Sequence, residues 1–119
     1  MKKICLIILL AIFVLNACAT PPAVPKEGYK TFSGPKERAE TYKQAYEEGW
    51  IKSGMIPKEV VALIGLPTGY TYRGIGEPGP CWIYSLSAWK DFFIGFGHQL
   101  RIYWDKDDKV IEVRKIFVM

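Results

Sequence analysis

The order of apolar and polar residues divides the chain into an apolar N-terminal run, two helical segments and a strand-rich second half. From Pro35 onward, apolar residues recur three or four positions apart. They are Ala39, Tyr42, Tyr46 and Trp50. This spacing is typical of an amphipathic helix. We expect Gly49 to weaken its last turn and Gly54 to end it.

A second, shorter helix is predicted between Pro57 and Ile64. Pro57 suits the first helical position because the N–H group it lacks is not needed there, and Gly65 can adopt the left-handed conformation that ends a helix. The helix is apolar nearly all round. Since so short a helix is stable only against other elements, we expect Val60, Leu63 and Ile64 to pack on a sheet, on the face that carries Trp82, Ile102 and Ile111.

The second half of the chain alternates apolar and polar residues, which is the pattern of half-buried strands. We expect three strands, at 81–86, 99–104 and 109–118. Residues 68–80 are rich in Gly and Tyr and are expected to form a loop, because their G-x-G-x-x-G run lacks the following helix that a dinucleotide site requires. The predicted fold class is α+β, with two short helices on one face of a three-stranded antiparallel sheet.

The acidic turn 105–108 determines the expected register of the last two strands. A four-residue loop would pair Ile102 with Ile111 and Arg101 with Glu112. Apolar residues would then meet on one face and opposite charges on the other. We therefore predict this register.

The N-terminus has the organisation of a secretory signal. Lys2 and Lys3 precede the apolar run Ile4 to Leu15, which is shorter than the roughly 20 residues of a membrane-spanning helix. The run ends in Leu-Asn-Ala-Cys, which resembles the lipobox of bacterial lipoproteins. We expect cleavage before Cys18 and attachment of lipid to its thiol and amino group. The alternative is an ordinary signal peptide with an accidental Cys.

These features predict three parts: a signal peptide at 1–17, the lipidated Cys18 with a flexible tether at 18–34, and an α+β domain at 35–119. The tether contains several prolines and little that would form a core, and its expected role is to provide distance from the membrane. By resemblance to lipoprotein sorting in Gram-negative bacteria, Ala19 after the Cys favours the outer membrane.

Composition argues against several classes of function. The chain carries a net charge of +4. Without the two signal lysines the remaining positive charge is too small for the basic patch of a nucleic-acid-binding protein. Cys81 would remain as the single unmodified Cys and fits a buried strand position, while His98 is the only His. A His-rich metal site cannot be built from one His, a lone His at the start of a strand is usually structural, and the acidic turn lacks the Gly and Glu of an EF loop. We expect no enzyme, no cofactor and no metal.

Several short runs together resemble the SmpA/OmlA/BamE-like outer-membrane lipoproteins. They are Lys52-Ser53-Gly54-Met55, Glu59-Val60, Leu63-Ile64-Gly65-Leu66-Pro67, Trp82-Ile83-Tyr84, Leu100-Arg101-Ile102-Tyr103-Trp104-Asp105 and Lys109-Val110. The resemblance implies a BamE-like packing of helices on one face of an antiparallel sheet. It also implies a non-catalytic accessory or scaffold role in the cell envelope, with envelope proteins and anionic phospholipid as partners.

The resemblance leaves the identity of the partner open. The chain has no counterpart of the Tyr-Arg-Pro-Asp-Ile segment that the β-barrel assembly subunit of the family carries. The same architecture also occurs in inhibitory proteins that bind β-lactamases, and fold alone does not determine function. The alternative function is therefore a tethered binding module or enzyme inhibitor of the periplasm.

An aromatic segment between the first two predicted strands is a candidate contact site. It contains Trp89, Phe92, Phe93 and Phe96. These side chains would either cap the open end of a small core or present an apolar patch to a partner or to the bilayer interface. Because a tethered protein always has membrane neighbours within reach, we hypothesise that the three phenylalanines form part of the interaction surface.

Overall fold

Two helices and a four-stranded antiparallel sheet make up the part of the chain that the computed structural model describes, residues 20–72, 76–86 and 97–118. The elements are α1 (Pro35–Glu48), α2 (Pro57–Ile64), β1 (Gly69–Thr71), β2 (Cys81–Ser85), β3 (Gly97–Trp104) and β4 (Val110–Val118). The strands lie in the sheet in chain order. The α+β class is confirmed, whereas the predicted number of three strands is wrong. Neither of these helices is long and apolar enough to cross a membrane.

Helix α1 ends earlier than predicted. Gly49 adopts the left-handed conformation with φ 66°, and the N–H of Trp50 donates to the Ala45 carbonyl at 2.9 Å. This bond satisfies one of the last carbonyls of the helix, so the helix ends at Gly49 and not at Gly54. Gly54 instead donates its N–H to Val110 at 2.8 Å and ties the link between the helices to β4.

Helix α2 has the predicted bounds, and the Glu59 carboxylate accepts the N–H of Ile56 at 3.1 Å at its start. Its buried residues are Val60, Val61 and Ile64. Leu63, which was expected in the core, is only half-buried at its margin. The reason is helical periodicity: in the eight-residue helix the 60, 61 and 64 positions share one face.

The main core lies between the helices and one face of the sheet. The sheet contributes Trp82 and Tyr84 from β2 and Leu100, Ile102 and Trp104 from β3. The Trp82 and Trp104 rings lie 4.6 Å apart, and the Tyr42 ring of α1 meets Tyr84 edge-on at 4.9 Å. Large interlocked aromatics thus supply much of the core of a small protein.

The predicted register of β3 and β4 is wrong. Ile102 pairs with Val113 and not with Ile111, and Arg101 lies opposite Arg114 and not Glu112. A register shift at Tyr103/Trp104 leaves Ile111 without a partner on β3. Ile111 packs instead on the other face of the sheet, against the small cluster of Cys81, Ile83 and Tyr103.

The turn accounts for one of the two residues by which the partner of Ile102 changes, and the register shift at Tyr103/Trp104 accounts for the other. The N–H of Asp105 donates to the Lys109 carbonyl at 2.8 Å, which leaves a three-residue loop rather than the four-residue loop expected. Asp108 has φ 58°, the left-handed residue that such three-residue loops require. The Asp105 carboxylate accepts the N–H groups of Asp107 and Lys109 at 2.8 and 3.0 Å.

Strand β1 lies in the stretch that was predicted to be a loop. Gly69 pairs with Ile83 and Thr71 pairs with Cys81, and the Thr68 N–H extends the ladder to Ile83 at 2.8 Å. Nearby Gly and Pro residues favour a loop locally, but the free edge of β2 supplies the pairing. β1 forms one edge of the sheet and β4 the other.

The segment before α1 packs on the domain, although a flexible tether was expected from the sequence. Pro22 is buried, and its carbonyl accepts the indole N–H of Trp82 at 3.2 Å. Lys30 donates its N–H to Val61 at 2.8 Å, and Val24 and Phe32 pack against the core. Val24 and Phe32 of this segment thus add to the core, which was not expected from the sequence. The signal-peptide boundary stays a prediction.

Candidate functional site

The site residues predicted from the sequence lie outside the described residues. This applies to the lipidation site Cys18 and to the aromatic segment with Trp89, Phe92, Phe93 and Phe96. Their roles stay predictions. The candidate sites described below lie within residues 20–72, 76–86 and 97–118.

Cys81 has the surroundings of a structural thiol. It begins β2, is 1% exposed, and its Sγ lies 3.1 Å from Oγ1 of Thr71. Burial raises the pKa of the Cys81 thiol, an effect only partly offset by the Thr71 hydrogen bond. Because the thiolate is the reactive form, Cys81 is a poor nucleophile.

The described residues hold no group of three or more His, Cys, Asp and Glu side chains that is arranged to bind a metal ion. His98 at the start of β3 instead lies beside the Phe117 ring of β4, with 4.8 Å between ring centroids.

A polar cluster lies on the sheet face away from the helices. Arg101 and Arg114 are directly opposite on β3 and β4, where like charges repel. The Glu77 carboxylate lies between them, 3.5 Å from Arg101 Nη1 and 3.8 Å from Arg114 Nη1. Glu112 accepts two further bonds from Arg114 at 2.9 Å. Two positive and two negative groups thus compensate each other, and the cluster holds the strands together.

Tyr103 belongs to this cluster and stays protonated. Its side chain is 1% exposed, and the Arg114 guanidinium lies 5.1 Å from the centre of its ring. Burial, followed by hydrogen bonding to Glu77, raises the pKa of Tyr103 to about 12. A phenol held in this way is a structural donor and not a general base at neutral pH.

An apolar groove lies on the outer side of β1, and we call it the tyrosine edge. Tyr70 and Tyr72 are 59% and 63% exposed. Together with the N-terminal segment they form a groove of about 440 Å³, lined by Thr20, Pro21, Pro22, Ala23, Val24, Tyr70 and Tyr72. Exposed apolar surface at a sheet edge marks an interaction site more often than a catalytic one.

The tyrosine edge was not predicted from the sequence. Its signal is the Tyr70-Thr71-Tyr72 run, since Tyr and Thr favour strands. The surrounding glycines and prolines outweighed that signal. The contribution of Pro21 and Val24 to the groove depends on packing between distant parts of the chain, which no local pattern carries.

Comparison with protein-family models, with curated proteins and with solved structures gives no match for the chain.

Proposed function

We propose that the protein is a lipid-anchored outer-membrane lipoprotein, a non-catalytic accessory or scaffold protein that acts in the assembly of the envelope or of outer-membrane β-barrel proteins. The observation that carries the proposal is the Lys-led apolar run that ends in Leu-Asn-Ala-Cys at Cys18. A basic start, an apolar core too short to span a bilayer, and a small residue before the Cys together favour lipidation.

The fold supports this function by its general form. Tyr42, Val61 and Ile64 of the two helices pack on the Trp82 and Ile102 face of an antiparallel sheet, which is the arrangement that a BamE-like protein requires. Strand β1 is an addition to the three strands expected. We therefore propose a BamE-like packing with an extra edge strand.

The chemistry of the surface favours binding over catalysis. The charged cluster around Glu77 is internally compensated, and the thiol of Cys81 is buried. The tyrosine edge remains as an apolar surface open to a neighbour. A scaffold or accessory protein works through surfaces of this kind.

Replacing Cys18 by Ser in the full-length precursor tests the anchor. In a Gram-negative host we expect the variant to leave the membrane fraction and to lack the increase in mass that the acyl groups give to the mature chain. Cys5→Ser is the matched control, because it removes a thiol from the same apolar run and keeps the lipobox. Unchanged membrane association of the Cys18 variant, with an unmodified mass for the native protein, would refute lipidation.

Co-purification separates the scaffold function from the alternative of a tethered periplasmic inhibitor or binding module. After mild cross-linking, the native lipoprotein should recover envelope proteins that the soluble Cys18→Ser form does not. An inhibitor would keep its partner in both forms, because its binding surface does not depend on the anchor.

A further inference from the structure

The N-terminal segment is held beside the tyrosine edge. The Pro22 carbonyl accepts the indole N–H of Trp82 at 3.2 Å, and the atoms of this bond are buried in the protein. Thr20 and Val24 line the same groove as Tyr70 and Tyr72. The chain between residues 20 and 24 is thus fixed to the domain at one edge of its sheet.

This packing limits how far the domain can lie from a lipid on Cys18. Consecutive Cα atoms are 3.8 Å apart, so the Cα atoms of Cys18 and Thr20 are separated by at most about 8 Å. A free tether of residues 18–34 would have extended several times farther. If Cys18 lies at the membrane surface, the groove beside Thr20 lies there as well.

The composition of the groove suits the layer between water and acyl chains. None of the residues that line it is charged, so no ion has to be dehydrated when the groove meets a bilayer. Tyrosine has an apolar ring and a polar hydroxyl, and it is enriched at membrane interfaces. Tyr70 and Tyr72 are also the two most exposed large apolar side chains among the described residues.

We propose that the tyrosine edge lies in the headgroup region of the bilayer and that β1 is the membrane-facing edge of the domain. The inference rests on the proposed lipidation of Cys18. The domain then lies against the membrane in one orientation, with β4 on the side away from the lipid.

Site-directed spin labelling of the intact lipoprotein in phosphatidylcholine–phosphatidylglycerol vesicles tests this orientation. A nitroxide is attached at Tyr72→Cys and, as a matched control, at Lys115→Cys on β4, where the native lysine is also exposed. The two edge strands are three strand spacings apart, about 14 Å. Cys81 is 1% exposed, so the native chain serves as the labelling blank.

The measurement is the collision rate of each label with oxygen, relative to its collision rate with a water-soluble nickel chelate. We expect this ratio to be several-fold higher at position 72 than at 115. In the soluble Cys18→Ser form, the ratio at position 72 should fall to the value of a label in water. These results would support the membrane-facing edge.

Other outcomes overturn the proposal in distinguishable ways. If both labels on vesicle-bound protein gave the collision-rate ratio of a label in water, the proposed orientation would be refuted. The lipid anchor would not be refuted by that result. Spin–spin broadening at position 72 would show that a second copy pairs along β1 in place of lipid. Absence of the native protein from the vesicle fraction would refute lipidation itself.

Discussion

Gly65, directly after α2, is required by both its conformation and its surroundings. It has φ 78° and ψ −168°, a region that is essentially restricted to glycine. A Cβ atom there would lie 2.7 Å from the Lys30 carbonyl oxygen, and Lys30 is itself bonded to Val61. The sequence predicted that Gly65 would end the helix in the left-handed helical conformation. The helix does end there, but the predicted conformation is wrong, because the N-terminal segment crosses the chain at Gly65.

Gly65→Ala should therefore destabilise the protein more than Gly49→Ala. Gly49 also has a positive φ, but a Cβ atom there meets nothing within 4 Å. The Gly49 variant should lose about 1–2 kcal/mol, the usual effect of an L-residue in the left-handed region, and the Gly65 variant should lose more. Urea unfolding measures both free energies. Equal losses would mean that the Lys30 carbonyl does not contact Gly65 in solution.

Ile64→Ala and Leu63→Ala remove similar side chains from neighbouring positions with different burial. Ile64 is fully buried, and Leu63 is half-buried at the margin of the core. We expect a loss of about 2–5 kcal/mol in the free energy of unfolding for Ile64→Ala and a clearly smaller loss for Leu63→Ala. Similar losses in the two variants would instead support the packing predicted from the sequence, in which both side chains lie on the sheet.

The raised pKa of Tyr103 predicts a loss of stability in alkaline solution. The ordinary pKa of a tyrosine is about 10 and that of Tyr103 in the folded protein is about 12, so the folded state disfavours the phenolate. Stability from this difference is fully present below pH 10 and falls as the pH rises from 10 through 12. Tyr103→Phe should reduce this dependence. Unfolding free energies measured across this pH range would decide the point.

Among the elements, the β3–β4 hairpin shows how side-chain bonds in a turn determine strand register. The Asp105 carboxylate accepts two backbone N–H groups of its own turn. Asp105→Ala should lower the unfolding free energy by about 1–3 kcal/mol, since each of the two bonds contributes roughly 0.5–1.5 kcal/mol. Asp107→Ala is the control, because it removes an exposed carboxylate from the same turn and keeps the N–H donor. Similar losses in both variants would contradict the assigned role of Asp105.

The elements also show which structural features the sequence predicts. Pro57 and Gly65 define the bounds of α2 because helix ends are determined by local residues. The pairing of Thr71 with Cys81 and the position of Ile111 depend on contacts between distant parts of the chain. Periodicity identifies strands of half-buried residues, but it does not show that an edge will take up a short strand rich in Gly and Tyr.

At the scale of the whole molecule, the aromatic segment remains a predicted interaction surface. Changing Phe92, Phe93 and Phe96 to Ser should leave the melting temperature nearly intact and should reduce recovery of envelope partners or binding to lipid vesicles. Phe117→Ser is the matched control, because that ring is 58% exposed on β4. Unfolding of the triple variant would assign the phenylalanines to the core and would require an interface elsewhere.

The docked N-terminal segment has a consequence for the order of events during biogenesis. The bond between Trp82 and Pro22 joins residues 60 positions apart in the chain, and contacts of such separation form only after both parts of the chain are present. A chain that is synthesised and exported with its N-terminus first therefore leaves residues 20–34 exposed until β2 is also present. If Cys18 is lipidated as proposed, the enzymes that cleave and acylate there act during this interval on an extended substrate. Folding would then shorten the free anchor and draw the domain to the membrane after modification is complete.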